Sequence, residues 1–597
     1  MRRPFYHVCQ LTFLAAAIVF RTAVEVAPAN IGPTEAAEKS LQTNKEGAID
    51  FRRDVYPILQ QHCIRCHQGV AAKANLQMMN RASLIAGGDS GPAIIPGNGN
   101  ESLLIDLVTS ADPERVMPAK GERLAAAQVQ MLRSWIDQGA NWDVEKEYDL
   151  ALKQVTLPAG DGNPIDRLLA PYFEQHGMKS RDLVNDERFA RRVAFDLVGL
   201  PLDNQQLSDF LADLRPTKRG ELARRLVEDQ ANYAGHWMTF WSDHLRIGSA
   251  VATGIFDNDE TKGPRNWLKV ELERDVPIDH FVQDLVAGDF FEQYAKSVAP
   301  AGEVASHVDV PEMQVATTIS QVFLGLQLKC ASCHDSFVDR WKMQDAWGLA
   351  SALADEPFDI YRCEIAMGRK AVPRFPLTGL GAIDAGADKQ VRRRQVANLI
   401  TTSQNGLFAR TIVNRLWARL FGRGLVEPLD EMMEHDPWNA DLLDWLAGEL
   451  IRQKYDLKKL LVLITSSRAY QSPAVVRQHP VEAKDYVFNG PEVRHLSAEQ
   501  FVDCVSMLQA GESDTPLEKK TPLRAWQLEN NSLMIMLGRP SRDVVVTARN
   551  EEPTPLTALE MINGEVLGNL VDQAAAAQLK YSPEDEVSLR IFWTLLG

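Results

Sequence analysis

Two cysteines three apart with a histidine directly after the second occur twice in this chain of 597 residues: Cys63, Cys66 and His67 in QQHCIRCHQG, and Cys330, Cys333 and His334 in KCASCHDS. Few patterns constrain a fold as tightly, because each unit has to hold two sulfurs and an imidazole together. The sulfurs of one unit can add to the two vinyl groups of one haem, and the adjoining histidine can ligate the iron from the same turn. A bare C-x-x-C has other uses: a redox disulfide, half of a zinc site, or, from Cys63, Cys66, Cys330 and Cys333 together, one zinc knuckle. The histidine that follows both pairs favours haem c, one group at the first unit and a second at the other. Electron-transfer haems usually take a second axial ligand, and methionine opposite histidine raises the potential. Met117 in RVMPAKGE is the expected ligand for the first iron. Met78 and Met79 lie closer in sequence, but in NLQMMNRASLI their spacing suits packing.

The amino terminus supplies the compartment in which haem c is attached. Arg2 and Arg3, the apolar stretch from Leu11 to Phe20 and the small-residue site Ala27-Pro28-Ala29 read as a signal peptide over residues 1–29. The expected location is therefore periplasmic or secreted. The apolar run is too short to span a bilayer, so no integral membrane span is expected beyond the signal. Of seven cysteines, Cys9 leaves with the signal, and outside the two units only Cys363 and Cys504 remain. That is too few for a disulfide scaffold. A net charge of −16, with no basic run to offset it, argues against nucleic acid as a partner.

With 45% hydrophobic residues, the chain is too long for one core and has apolar content for several. Residues 30–47 are polar and aperiodic, a linker. A first domain over 48–145 opens with Asp54 as a helix cap and Pro57 in the first turn, and closes with a helix from Ala125 to Gln138 stopped by Gly139. Asn163 and Pro164 then start a helix with apolar residues at Ile165, Leu168, Leu169, Tyr172 and Phe173, in which Pro171 predicts a kink. Helical patterns fill 160–355, a Pro/Gly-containing linker covers 356–388, and a last helical domain runs over 389–597. In that domain Phe408, Ile412, Leu416 and Leu420 mark a helix ended by Gly422. The final run EDEVSLRIFWTLLG reads as a helix at which the chain stops abruptly. The expected class is a mainly α, multidomain protein.

FRRDVYPILQQHCIRCHQG, GGDSGPAIIPGNGNESLLI and VMPAKGERLAAAQVQMLRSWIDQGANW resemble the planctomycete-type cytochrome c domain. NPIDRLLAPYFEQHG, RRVAFDLVGLP and VFLGLQLKCASCHDSFVDRWKMQDAWGLASALA resemble the first of two large domains of unknown function that accompany it. The second is similar to LFARTIVNRLWARLFGRGLVEPLDEM, YDLKKLLVLITSSRAYQ and GRPSRDVVVTARNEEPTPLTALEMINGE. The resemblance covers nearly all of the chain after the signal, and implies an exported haem-binding protein with a cytochrome c-like domain followed by two larger helical domains. Related chains usually carry a further histidine two residues beyond the second unit, where this one has Ser336. That departure puts the ligation of the second iron in question. Met343, His307, Met313 and Met367 are its candidate distal ligands, and water the expectation.

Other residues carry weaker signals. His236 and His244, in GHWMTFWSDHLRIG, could share a helical face for a metal, but buried hydrogen-bonded histidines beside Trp237 and Trp241 are the expectation. Glu551 and Glu552 read as a solvated pair rather than an acid and base. No complete catalytic constellation is visible. The expected function is an exported c-type cytochrome with one or two haems, exchanging electrons with a redox partner protein or small carrier. The alternative is an extracellular enzyme, acting on a substrate such as a polysaccharide, with the haem domain as its redox module.

Overall fold

The computed structural model describes residues 49, 51–64, 66–67, 72–78, 81–142, 148–178, 182–248, 259–300, 306–336, 339–362, 365–477, 485–509, 524–549 and 554–581. The signal peptide, the linker 30–47, Met79, Cys363, Glu551, Glu552 and the final run EDEVSLRIFWTLLG lie outside them. Contacts divide the chain into two compact units, one of residues up to 146 and one from 147 onward, residues 337–340 excepted.

The first unit opens with the helical segments Phe51–Val55, Tyr56–Leu59 and Gln60–Ile64, wound head to tail, the outer two as wide turns. Asp54 is not the cap of this helix; it lies inside its first segment. Packing decides this. Phe51 is buried, stacked 3.8 Å from Trp142 and 5.5 Å from Trp135, and its burial draws the turn ahead of Asp54 into the winding. The closing helix, Ala126–Asp137, ends where expected, with Gly139 at φ 98°, a left-handed turn that glycine adopts without steric cost. Its Leu132, Trp135 and Ile136 meet Val55, Ile58, Leu59, Leu104 and Ile105 in one apolar cluster.

In the second unit, Asn163 caps the Pro164–Gln175 helix by accepting from the Ile165 N–H at 2.9 Å, and Pro171 stands within that helix. The Gly406–Phe421 helix ends at Gly422, φ 88°. It is buried on nearly all sides, as a central helix must be. Its Arg410 is held by Asp444 at 2.5 and 3.0 Å and by the carbonyls of Asp149 and Ala151 at 2.7 and 2.8 Å.

The expected domains 160–355 and 389–597 contribute to a single hydrophobic core running from Ile165 to Phe488. The stretch 356–388, expected as a linker, supplies Ile360, Ala371, Phe375, Leu377 and Ile383 to it. A two-stranded antiparallel hairpin, Asp359–Arg362 with Ile365–Lys370, lies within that stretch. Polar bonds fasten the two sequence halves as well: Arg393, buried, donates to the carbonyls of Val286 and Gly288 at 2.8 and 2.7 Å. A smaller cluster, Ala498, Val502, Ala525, Leu533 and Met534, completes the unit, covered by Val566, Leu567 and Leu570. No described helix is long and apolar enough to cross a membrane.

Candidate haem-attachment sites

Cys63 lies in the last turn of the opening helix of the first unit, and the chain then tightens. The N–H groups of Cys66 and His67 both donate to the Cys63 carbonyl, at 3.1 and 3.2 Å, which places the three side chains of the motif on one turn. Two further backbone bonds, Lys73 N–H to Cys66 O at 2.9 Å and Met78 N–H to His67 O at 2.8 Å, tie down the segment that follows. The His67 ring is oriented by this loop: its Nδ1 lies 3.1 Å from the Lys73 carbonyl. A carbonyl can only accept, so Nδ1 carries a proton, and in the neutral ring the lone pair is on Nε2. Second-side bonding of this kind sets the tautomer of a metal-ligating histidine.

Cys63 belongs to the apolar cluster, whereas Cys66 is exposed. Burial, and secondarily the neighbouring Cys66, push the Cys63 thiol up to about 12. A redox C-x-x-C works through a readily formed thiolate, so this thiol is ill suited to that role. A thioether is neutral and apolar and suits the same surroundings. Neither cysteine forms a disulfide. Among the described residues no group of three or more His, Cys, Asp or Glu side chains is placed to hold a metal ion. Met117 packs half-buried against the cluster that contains Cys63, its N–H bonded to the Leu107 carbonyl at 3.0 Å. Met78 is buried at 2% exposure, in the packing role its spacing implied.

The second unit sits in the turn after the Pro311–Leu324 helix, which ends on Gly325 at φ 62°. Cys330–Ser332 make one tight helical turn, with the N–H groups of Cys333 and His334 on the Cys330 carbonyl, both at 3.2 Å. Ala331 and Ser332 face inward, and the buried Trp347 indole donates to the Ser332 carbonyl at 2.9 Å. With the middle residues anchored, the cysteines face outward: Cys330 is exposed and Cys333 half-buried. His334 Nδ1 lies 2.9 Å from the Asp335 carbonyl, again leaving the lone pair on Nε2. Of the candidate distal ligands, Met313 and Met343 are packed in the core at 1% and 5% exposure, His307 stacks on Tyr361 at 3.5 Å, and Met367 lies on the exposed hairpin.

His236 and His244 are both buried in the Gln230–Leu245 helix, as expected. His244 donates from Nδ1 to the Phe240 carbonyl at 2.8 Å, and burial together with the Arg415 guanidinium lowers its pKa to about 4. What sequence reasoning missed lies beside it. Asp243 and Glu499, both buried, gather three arginines from GRPSRDVVVTARN: Arg542 and Arg549 on Asp243 at 2.8 and 2.6 Å, Arg549 on Glu499 at 2.7 and 3.0 Å, and Arg539 on Glu499 at 3.3 Å. Arginines spaced along a loop look like surface charge. Only the density of charge in that segment could have hinted otherwise.

Comparison with known families follows this geometry. The family described as Planctomycete cytochrome C matches residues 63–121, a span that holds Cys63, Cys66, His67 and Met117. Two families described as proteins of unknown function, DUF1549 and DUF1553, match residues 164–357 and 392–596, the first taking in Cys330, Cys333 and His334. None of the curated proteins and none of the solved structures matches the chain. The chain thus carries a planctomycete-type cytochrome c domain, which implies haem c binding near its N-terminal end, with the DUF1549 and DUF1553 domains behind it.

Proposed function

We propose that this protein is an exported c-type cytochrome that holds one or two haems c, the first at Cys63 and Cys66 with His67 to ligate its iron and the second, where present, at Cys330 and Cys333, and exchanges electrons with a redox partner protein or small carrier. The observation that carries the reading is the His67 ring, fixed by the Lys73 carbonyl in the tautomer that presents Nε2 to a metal, on the same turn as two unpaired thiols. Each thiol would add its S–H across a vinyl group, joining sulfur to carbon with no atom left over. When bound, haem supplies a one-electron couple. The chain's part is to hold it: the apolar cluster around Cys63 excludes water from one side of the turn, and Met117, packed on that cluster, would supply a sulfur ligand to the same iron.

Acid–acetone extraction of the exported protein tests the attachment. Haem should stay on the polypeptide, between one and two equivalents per chain, and the double variant Cys63→Ser/Cys66→Ser should lose at least one. Complete extraction from the parent protein would end the assignment. Met117→Ala should abolish the sulfur-to-iron charge-transfer band at the red edge of the oxidised spectrum and lower the potential. A band that persists in this variant would move the ligand elsewhere.

A further inference from the structure

The Pro555–Asn563 helix, PLTALEMIN, has two sides of different fate. Its inner side is taken up. Thr557 donates from Oγ1 to the Met536 carbonyl at 3.1 Å, Glu560 accepts from the Ser532 hydroxyl at 2.7 Å, and Met561 packs on the cluster of Ala498, Val502 and Leu533. On the other side Leu556, Leu559 and Ile562 follow one another three residues apart, which sets them along one face. They are 62%, 56% and 70% exposed. Single exposed leucines are ordinary on a protein surface, but a row of three large aliphatic side chains is a patch. A surface helix turns a charged or polar face to water, and the only charged residue of this one, Glu560, is bonded to Ser532 instead.

The chain itself supplies the complement to this face. Residues 582–597, SPEDEVSLRIFWTLLG, follow the Glu565–Tyr581 helix directly and lie outside the described residues. Their sequence opens with Ser582, Pro583 and Asp585, which are the signals of a helix start: a hydroxyl cap, a proline in the first turn and a carboxylate three residues after the cap. Glu586, Arg590 and Thr594, four apart, make one polar stripe, with Glu586 ahead of Arg590 in the order that favours an ion pair. Val587, Ile591, Phe592, Leu595 and Leu596 occupy most of the remaining circumference. A helix this short holds in water only when its apolar side is packed. Sixteen residues make a helix about 24 Å long, against about 14 Å for the nine residues of Pro555–Asn563, so the segment can cover the whole face. The DUF1553 match, residues 392–596, takes in the face and the segment alike. A second copy of the chain is the weaker occupant, because three side chains from each copy fall far short of a stable dimer interface.

We propose that residues 585–596 dock as an amphipathic helix on the face formed by Leu556, Leu559 and Ile562, and so complete the small C-terminal core. The contact is independent of both cysteine units and of whether either carries haem. Hydrogen exchange of the full chain, read by mass spectrometry on peptides from 585–597, tests it against a synthetic peptide of residues 582–597. In the full chain these amides should exchange at least tenfold more slowly than in the free peptide. Leu559→Asp/Ile562→Asp, two changes on an exposed face, should return them to the free-peptide rate and leave the protection of the Gly406–Phe421 helix unchanged, which shows that the variant is folded. The milder Leu559→Ala/Ile562→Ala should speed exchange several-fold and carries the test if the aspartates disturb that helix. Free-peptide exchange in the parent chain, or protection that survives in the folded variants, would overturn the proposal. So would a dimer by analytical ultracentrifugation that the aspartates dissociate while residues 585–597 exchange freely, since a second copy would then be the occupant.

Discussion

Glu499→Ala should destabilise the second unit by about 3–5 kcal/mol, the usual consequence of removing one partner from a buried ion pair. The side chain is 5% exposed, with Arg549 at 2.7 Å, Arg539 at 3.3 Å and Arg542 at 3.9 Å. Truncation would leave three buried guanidiniums facing Asp243 alone. The cluster joins distant parts of the chain: Asp243 ends the Gln230–Leu245 helix, Glu499 begins the Ala498–Gln509 helix, and the arginines follow the segment that packs on it. Urea denaturation followed by circular dichroism reads the effect. Lys153→Ala removes an ion pair that lies in solvent and should leave the midpoint in place. A Glu499→Ala midpoint equal to the parent's would show that the cluster does not hold the unit together.

The same carboxylate sets a pH dependence. Burial alone would raise its pKa, but the surrounding arginines, Arg549 foremost, hold it far below the ordinary glutamate value of 4.5. Because the folded value is depressed, its stabilisation is fully present above about pH 4.5 and drains away as the pH falls towards the folded value. The stability gap between parent and Glu499→Ala should therefore narrow on acidification. A gap that widened below that pH would contradict the assignment.

The second large effect is spectroscopic. Serine is a poor ligand for haem iron, and Ser336 stands two residues beyond His334, where the family resemblance led us to expect a histidine. Its N–H is engaged with the Trp341 carbonyl at 2.8 Å. The sulfurs of Met313 and Met343 belong to buried core residues, and His307 lies against Tyr361. Were haem attached at Cys330 and Cys333, His334 would ligate its iron, and with none of these residues supplying a further strong ligand the iron should be high-spin and bind carbon monoxide, unlike a six-coordinate electron-transfer centre. The protein should then show a mixed spectrum. Its low-spin part should vanish in Cys63→Ser/Cys66→Ser, and its high-spin, carbon-monoxide-binding part in Cys330→Ser/Cys333→Ser. Two low-spin centres without carbon monoxide binding would mean that a distant side chain replaces the absent histidine. A single haem would mean that the second unit carries none.

The gathering of two sulfurs and an imidazole is local, and so it was legible without a fold: five consecutive residues specify them, and the turn that brings them together is made by their own backbone bonds. Helix limits at Asn163, Gly139 and Gly422 were legible for the same reason, since a cap or a left-handed glycine acts within one turn. Asp54 failed as a cap because the stacking of Phe51 on Trp142 outweighs a single capping bond, and that stacking joins residues far apart in the chain. The union of 160–355 with 389–597 was invisible for a related reason. Each amphipathic helix announces that it has an apolar face but not which other helix will cover it, and a Pro/Gly-containing stretch looks like a linker until Phe375 and Leu377 are seen in the core. Tertiary structure alone could bring Asp243 and Glu499 to Arg539, Arg542 and Arg549. A charge tolerates burial only beside a partner, and the identity of that partner is a property of the packed chain.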